Sequence, residues 1–379
     1  MKVAIAGAGI SGLASALAIA RKHDNSNVYV YERQTEIAVS GAGIQLGPNA
    51  FHALNQISPK LAAEVKEKII TPTRLLMRDI SNNKLLSSVP LGAQVEADFD
   101  QPYGMLHRAV LQAKLLEHAQ AQSNIEVQLG RAFDAESAFA KSADLTIAAD
   151  GLWSTVRGQV MGQARTHLSS IAFRAFAHCT DEVNEIRLWV GAGVHVVAYP
   201  VLHPTGGHRV LNIAAFISSA QMQMLNESMP QQDNTSWAMN VSPQEMCDSL
   251  LIANDELKSI LFGAQDCSAW RVFDLKPIHQ WFYGKTVLVG DAAHAMLPHL
   301  AQGAAFGLED AACLAKAPLF LAQFQESRLK RCLRAQMAAK RYQAIYHAGG
   351  LLRRARNAVL SQSVLAPKYG GLSWVYSYQ

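Results

Sequence analysis

The sequence predicts an α/β fold carried by a parallel, nucleotide-binding sheet, and three observations predict it. The chain opens with VAIAGAGISG, in which four apolar residues (Val3 to Ala6) run straight into glycines at 7, 9 and 12. DLTIAAD, from Asp144 to Asp150, is a near-continuous apolar run ending at Asp150-Gly151. KTVLV, from Lys285 to Val289, is another, ending at Gly290-Asp291. Strands buried on both faces of a parallel sheet read as unbroken apolar runs. Ligands of open parallel sheets sit beyond the carboxyl ends of the strands. The strand ends at Gly7, Asp150 and Asp291 therefore converge on one crevice.

At the first of these ends each glycine has a reason. Gly7 makes the tight turn, Gly9 lets backbone approach a pyrophosphate, and Gly12 lets the helix pack on the strand. Ile10 and Ser11 start that helix, whose free N–H groups and positive dipole end suit phosphates. Glu32 lies twenty positions past Gly12, closing the strand VYVYE, where a carboxylate accepts from ribose hydroxyls. Arg33 beside it reads equally as a surface charge or an adenine-side contact. The uncharged run from Val3 to Ala20 has the length of a membrane helix. The three glycines and the strand that follows exclude that reading, and no stable membrane insertion is expected. Gly191-Ala192-Gly193 lacks a third glycine, so one dinucleotide is held tightly and any second binds transiently.

The remaining composition narrows the class. Half of the 379 residues are hydrophobic and 17% are charged, which excludes a disordered or collagen-like chain, and the length suggests two to three domains. Five scattered cysteines, odd in number and never C-x-x-C, read as reduced thiols of a cytoplasmic protein with no metal site. Charge is lopsided. Glu326 to Lys368 holds ten Lys/Arg against one acid, leaving 24 basic against 29 acidic residues elsewhere. The expected explanation is the solvated face of C-terminal helices. Nucleic acid is not an expected partner, because aromatic residues are sparse among the basic ones. The Gln/Asn/Ser-rich piece from Gln221 to Asn240 reads as a surface loop. A monomer or homodimer fits equally.

The trio GAGISG, AADGLWSTVR and GDAAHAMLPHLAQGAAFGLEDA resembles the single-component FAD-dependent aromatic hydroxylases of the p-hydroxybenzoate hydroxylase fold. The resemblance continues through GAGIQLGPNA, LHRAVLQAKLLEHA, HVVAYP, IYHAGGLLRRARNAVL and the closing WVYSYQ, and so covers nearly the whole chain. PHLAQGA and WVY are most similar to salicylate, 3-hydroxybenzoate and 6-hydroxynicotinate hydroxylases. The fold implied is a Rossmann-like FAD-binding domain (1–72, 102–165 and 276–325) interleaved with a smaller mixed-sheet substrate domain (73–101 and 166–275). C-terminal helices over 326–379 close the back. The cofactors implied are FAD and, as transient co-substrate, NADH or NADPH. The activity implied is hydroxylation of a small phenolic acid, salicylate- or 3-hydroxybenzoate-like, by O2 through a C4a-hydroperoxyflavin.

The resemblance also implies roles residue by residue. Asp291, after Gly290, would bond the ribityl chain, Arg108 would contact the cofactor, and Gly43 would join the cofactor set. Pro298 would sit against the isoalloxazine. Gly303 and Ala304, opening a long helix through Phe324, would aim N–H groups at the flavin N1/C2 carbonyl. Asp150, with Gly151, matches a pyrophosphate motif that Arg157 would assist. The substrate wall would be the strand from His195 to Pro200, with His195, Val197 and Tyr199 on one face and Val196, Ala198 and Pro200 on the other. Sequence does not choose the face. Relatives often carry His or Tyr at or beside Ala198, and some a histidine where Gln45 stands, so those positions enter the substrate set with Tyr199 and Arg174. His299 and Gln302 are the expected catalytic residues, with Pro298. Two alternatives stay open: the same chemistry on a fused uncharged ring, which Ala198 favours, and a nucleotide-fold binding protein without redox chemistry.

Overall fold

The three apolar runs lie side by side. In order across the sheet the strands are Phe282–Tyr283, Thr286–Leu288, Leu145–Ala148, Lys2–Ala6, Asn27–Glu32 and Ile125–Leu129. All neighbours are parallel except the hairpin of Phe282–Tyr283 with Thr286–Leu288. The register sets Ala6 opposite Ala148 and Ala148 opposite Leu288, so the three ends come level. Helices Ile10–Lys22 and Gly303–Leu314 pack in the same core as this sheet. The computed structural model describes residues 1–37, 42–179, 182, 184–224, 238–361 and 368–378.

A second, eight-stranded sheet runs in the order Ala238–Asn240, Gln265–Leu275, Thr166–His178, Arg209–Ser218, Val194–Leu202, Glu185–Gly191, Arg74–Asp79 and Leu85–Pro90. It is antiparallel except where Glu185–Gly191 pairs in parallel with Arg74–Asp79. Its outer face seals a separate core with helices Pro243–Asp248 and Asp255–Phe262, built on Met246, Leu250, Leu257 and Leu261. The ribbon of Gly43–Leu46 with Gly104–His107 joins the two bodies, because Gly43 packs against Tyr199, Asn212 and Val201 of the mixed sheet. Residues 225–237, within the stretch expected as a surface loop, lie outside the described residues. Its flanks are regular: a helix over Ser219–Met224 and a strand over Ala238–Asn240. Gly41 of GAGIQLGPNA also lies outside them.

Two expectations about the C-terminal third are corrected. The helix from Gly303 does not reach Phe324. It ends at Leu314, and a turn containing Pro318, which has no N–H to give, separates it from the 26-residue helix Leu321–Tyr346. Nor is the basic stretch simply a solvated face. Arg328 and Arg331 point into the body, where Arg328 meets Asp310 at 2.8 Å and Glu309 at 2.5 Å, and Arg331 meets Glu309 at 2.8 Å. Lys340 pairs with Asp274, Arg353 with Asp79 and Lys368 with Asp98. The basic tail is a set of clasps onto an acidic body. Among the described residues no helix is long and apolar enough to cross a membrane.

Candidate active site

The cleft begins at the glycine loop. Gly7 has φ +99°, and a Cβ there would stand 2.5 Å from the Ala149 carbonyl oxygen. One on Gly12 would stand 1.9 Å from the Gly7 carbonyl oxygen. Both positions are closed to side chains. Gly9 is the opposite case: nothing lies within 4 Å of its would-be Cβ, which leaves space for a ligand. Glu32 accepts from the Ala8 N–H at 2.9 Å and the Gln34 N–H at 3.0 Å, so its carboxylate braces the loop. Ile10 is buried in the core, and Ser11 fills the space that glycine leaves at Gly290 and Gly307. Arg33 is exposed at the rim.

The other two strand ends are organised differently. One oxygen of Asp150 accepts from the Thr155 and Val156 N–H groups, capping the following helix, while its Oδ1 is buried without a partner. Arg157 is buried, donating to the carbonyls of Ala292 and Leu152 at 2.6 Å each. This corrects its expected assistance to a pyrophosphate: the guanidinium clamps two loops together. Gly290, at φ +58°, donates its N–H to Asp310. Asp291 stays open to solvent in the cleft, yet the protein packed around it raises its carboxyl pKa, against the pull of His294 and Arg108. Arg108 heads the helix Arg108–Gln120 and donates to Gln112, which in turn donates to the Ala8 carbonyl.

The PHLAQGA loop closes the floor. Pro298 is exposed, and His299 and Leu300 are buried in a single 3-10 turn. Ala301 sits in the left-handed region at φ +53°, a strained place for a residue with a Cβ. Gln302 is buried; its Oε1 accepts from Asn49 at 2.9 Å, and its Nε2 has no partner. The helix bonds to itself only from Phe306 onward, so the amides of Gly303, Ala304 and Ala305 are unspent. Two helix N-termini with free amides, open space at Gly9 and Gly303, and the unpartnered Gln302 amide form one donor set. That set fits an anionic diphosphate joined to the electron-rich edge of a flavin. The residues present fit FAD.

The mixed sheet forms the opposite wall, and its strands decide the face that sequence left open. Val194, Val196 and Ala198 belong to the outer core, whereas Tyr199 and Val201 pack with the nucleotide-binding body. His195, Val197 and Tyr199 therefore line the cleft, and Ala198 does not, a correction to its expected substrate role that follows from strand alternation. Gly43 is corrected too: it is buried, and its N–H donates to Asn212 at 2.7 Å rather than to a cofactor. Gln45 is buried between two phenols, accepting from Tyr103 at 2.6 Å and bonding Tyr199. Burial raises the pKa of both tyrosines, so they stay protonated donors.

His299 lies in an aromatic nest, 5.0 Å from the His195 ring and 5.6 Å from Phe216, with both ring nitrogens unpartnered. Burial, reinforced by His347, pushes its pKa down to about 3, so it is neutral at physiological pH. Arg174, on the cleft face, is covered by the Trp270 ring at 4.8 Å. Trp281, by contrast, is buried in the nucleotide-binding core beside His294 and Phe324. Sequence reasoning missed Tyr103, Asn49 and His347. Asn49 and His347 lie inside GAGIQLGPNA and IYHAGGLLRRARNAVL, which were the available signal, whereas Tyr103 lies in no quoted motif and reaches the cleft only through tertiary packing.

A family model described as an FAD binding domain matches residues 105–331, more than half of the chain. The chain belongs to the FAD-dependent aromatic hydroxylases. Among similar proteins, the 3-hydroxybenzoate 6-hydroxylase of Polaromonas naphthalenivorans is 29% identical, over 100% of this chain and 96% of that one. The salicylate hydroxylase of Pseudomonas putida is 28% identical, over 83% of this chain and 76% of that one. A solved salicylate hydroxylase substrate complex shares the fold of this hydroxylase at a TM-score of 0.77, with 23% identity over 100% of this chain and 96% of that one. The hydroxylase is a flavoprotein enzyme.

Proposed function

We propose that this hydroxylase acts on a small phenolic acid of the salicylate or 3-hydroxybenzoate kind, with NADH or NADPH as transient reductant. The observation that carries the reading is Arg174. Its guanidinium is largely buried on the cleft face, with the Trp270 ring against it and no carboxylate partner among the described residues. Burial, and then Arg108, already pull its pKa down. A buried cation without a counter-ion is costly, and a ligand carboxylate would supply the missing charge in a geometry arginine favours. The relatives named for hydroxybenzoate and salicylate support the same class. The fused-ring alternative rested on Ala198, which faces the outer core. Its motivation is gone.

Bound FAD supplies the redox chemistry and the activation of O2; the chain supplies binding, orientation and dryness. Gly7 to Gly12, Arg108 and Asp291 would hold the cofactor, and the amides of Gly303 and Ala304 would stabilise negative charge at its pyrimidine edge. Tyr103, Tyr199 and Gln45 offer fixed hydrogen bonds at one end of the cleft. His195 and His299, both neutral, stand at the other as hydrogen-bonding groups for a phenol. Phe216 excludes water there. Among the described residues no disulfide joins any of the cysteines, in keeping with a reducing compartment.

Salicylate, 3-hydroxybenzoate and an uncharged quinolone should be compared for stimulation of NAD(P)H oxidation and for hydroxylated product. One of the acids is expected to stimulate, and Arg174→Gln should raise its KM about tenfold or more, as loss of a charge-assisted bond predicts, at unchanged FAD content. Stimulation by the quinolone alone would overturn the reading.

A further inference from the structure

Two side-chain amides, Asn49 and Gln302, connect the buried ion cluster of the helix Gly303–Leu314 to its first turn. Asn49 is wholly buried at the start of the helix Pro48–Ile57. Its Nδ2 donates to Glu309 Oε1 at 2.7 Å and to Gln302 Oε1 at 2.9 Å, so both of its N–H groups are spent. Gln302, the residue before Gly303, is 1% exposed, and its Nε2 has no partner among the described residues.

An amide has the same outline either way round, so only its partners decide which end is the oxygen. Here the decision starts at Glu309. Its Oε2 accepts from Arg328 and Arg331, and its Oε1 accepts from Arg331 as well. A carboxylate so engaged can only accept from Asn49, and the amide turned over would set oxygen against oxygen. Asn49 keeps this orientation even though its own Oδ1 is left buried without a partner. Its second N–H then requires an oxygen from Gln302. The Gln302 Nε2 is the end left over, and a buried donor without an acceptor is costly until a ligand supplies one.

We propose that Asn49 is a positioning residue that fixes the Gln302 amide as a donor toward the electron-rich edge of FAD. The inference rests on the placement of FAD at the donor set described above. Glu309 orients Asn49, Asn49 orients Gln302, and Gln302 adds a side-chain N–H to the unspent backbone amides of Gly303, Ala304 and Ala305. Without Asn49 the Gln302 amide is free to turn and offer its oxygen, which repels the charge that those amides attract. The arrangement favours the flavin when it carries the negative charge of the reduced state. The cluster that anchors the helix thereby reaches its ligand end through hydrogen bonds alone.

The test compares FAD-loaded wild type with Asn49→Leu, Asn49→Ser, Gln302→Leu and the double variant Asn49→Leu/Gln302→Leu. Midpoint potentials are read against reference dyes with no aromatic substrate present. Each Asn49 variant should weaken the preference for reduced FAD roughly tenfold, the scale of one hydrogen bond to a charged group. Tenfold is a potential about 30 mV more negative for a two-electron couple. Gln302→Leu should shift it as far, and the double variant no further than Gln302→Leu alone. Wild-type potentials in both Asn49 variants, with Gln302→Leu shifted, overturn the positioning role and leave the placement of FAD intact. A wild-type potential in Gln302→Leu overturns the placement of the flavin edge, and the inference with it. If Asn49→Leu shifts the potential equally in both backgrounds, Asn49 is structural and the proposal falls. Loss of FAD from both Asn49 variants while Gln302→Leu retains it has the same meaning.

Discussion

The helix Gly303–Leu314 is two different things along its own length. At its first turn the amides of Gly303 to Ala305 are unspent, Gln302 before them keeps a free Nε2, and a Cβ on Gly303 would meet nothing. Two turns later Glu309 and Asp310 are fully buried acids with their valences largely filled. Glu309 takes Arg328, Arg331 and Asn49, and Asp310 takes Arg328, His294 and the Gly290 N–H. Burial opposes ionisation of Asp310, but His294 and Arg328 prevail and hold its pKa at about 2. The front of the helix keeps donors in reserve for a ligand, and the middle spends every charge on the fold. A cofactor site can stay unsatisfied only because the element presenting it is anchored elsewhere.

The contrast can be broken at either end. Arg328→Met leaves two buried carboxylates short of their cation, and removing one partner of a buried pair costs about 3–5 kcal/mol. A urea melt of the FAD-free protein should move by that amount; a wild-type midpoint would mean the middle of the helix is not an anchor. Gly9→Val tests the opposite kind of site. The backbone there is extended and the space empty, so stability should stay within about 0.5 kcal/mol, as at an unconstrained surface position. FAD affinity should fall by roughly tenfold or more, read from visible absorbance after gel filtration. Loss of stability together with FAD would erase the distinction between reserved and spent positions.

The third prediction is a pH dependence. His299 and His347 have folded pKa values of about 3 and about 4, below the ordinary 6.5, so the unfolded chain binds more protons than the folded one between those limits. Stability contributed by their neutrality is present above pH 6.5 and is lost as pH falls toward 4, by at most about 1.4 kcal/mol per unit for each buried imidazole. Asp310 adds a further loss only below its unfolded pKa of 3.8. Equilibrium melts of wild type and His299→Phe between pH 7 and 4.5 should show the shallower slope in the variant. Parallel slopes would remove His299 from the linkage.

The nucleotide-binding half was legible because its demands are local. Gly12 is forced by a contact within one strand–turn–helix and Gly7 by the positive φ of that turn, and Asp150 and Asp291 sit at the ends of apolar runs that any parallel sheet would show. The substrate wall was only half legible. Alternation separated His195 and Tyr199 from Val196 and Ala198, but the choice between faces depends on helices Pro243–Asp248 and Asp255–Phe262 covering the outer side. The basic tail was misread for a related reason. Its partners Asp274, Asp79 and Asp98 come from distant stretches, and even Glu309 and Asp310 lie on a separate helix, 18 to 22 positions before their arginines, at no spacing that marks a pair.

Arg331 carries one more consequence. Besides Glu309 it holds the backbone carbonyls of Trp374 and Val375, at 3.0 and 2.7 Å, and the neighbouring Tyr376 ring lies against Gly47 and Tyr103. Gly47, Tyr103 and residues 374–376 thus belong to one cradle, although they are far apart in the sequence. The wall around Tyr103 is therefore completed by a segment far from it in sequence, and Arg331 ties that segment to the same buried carboxylate that anchors the flavin-side helix.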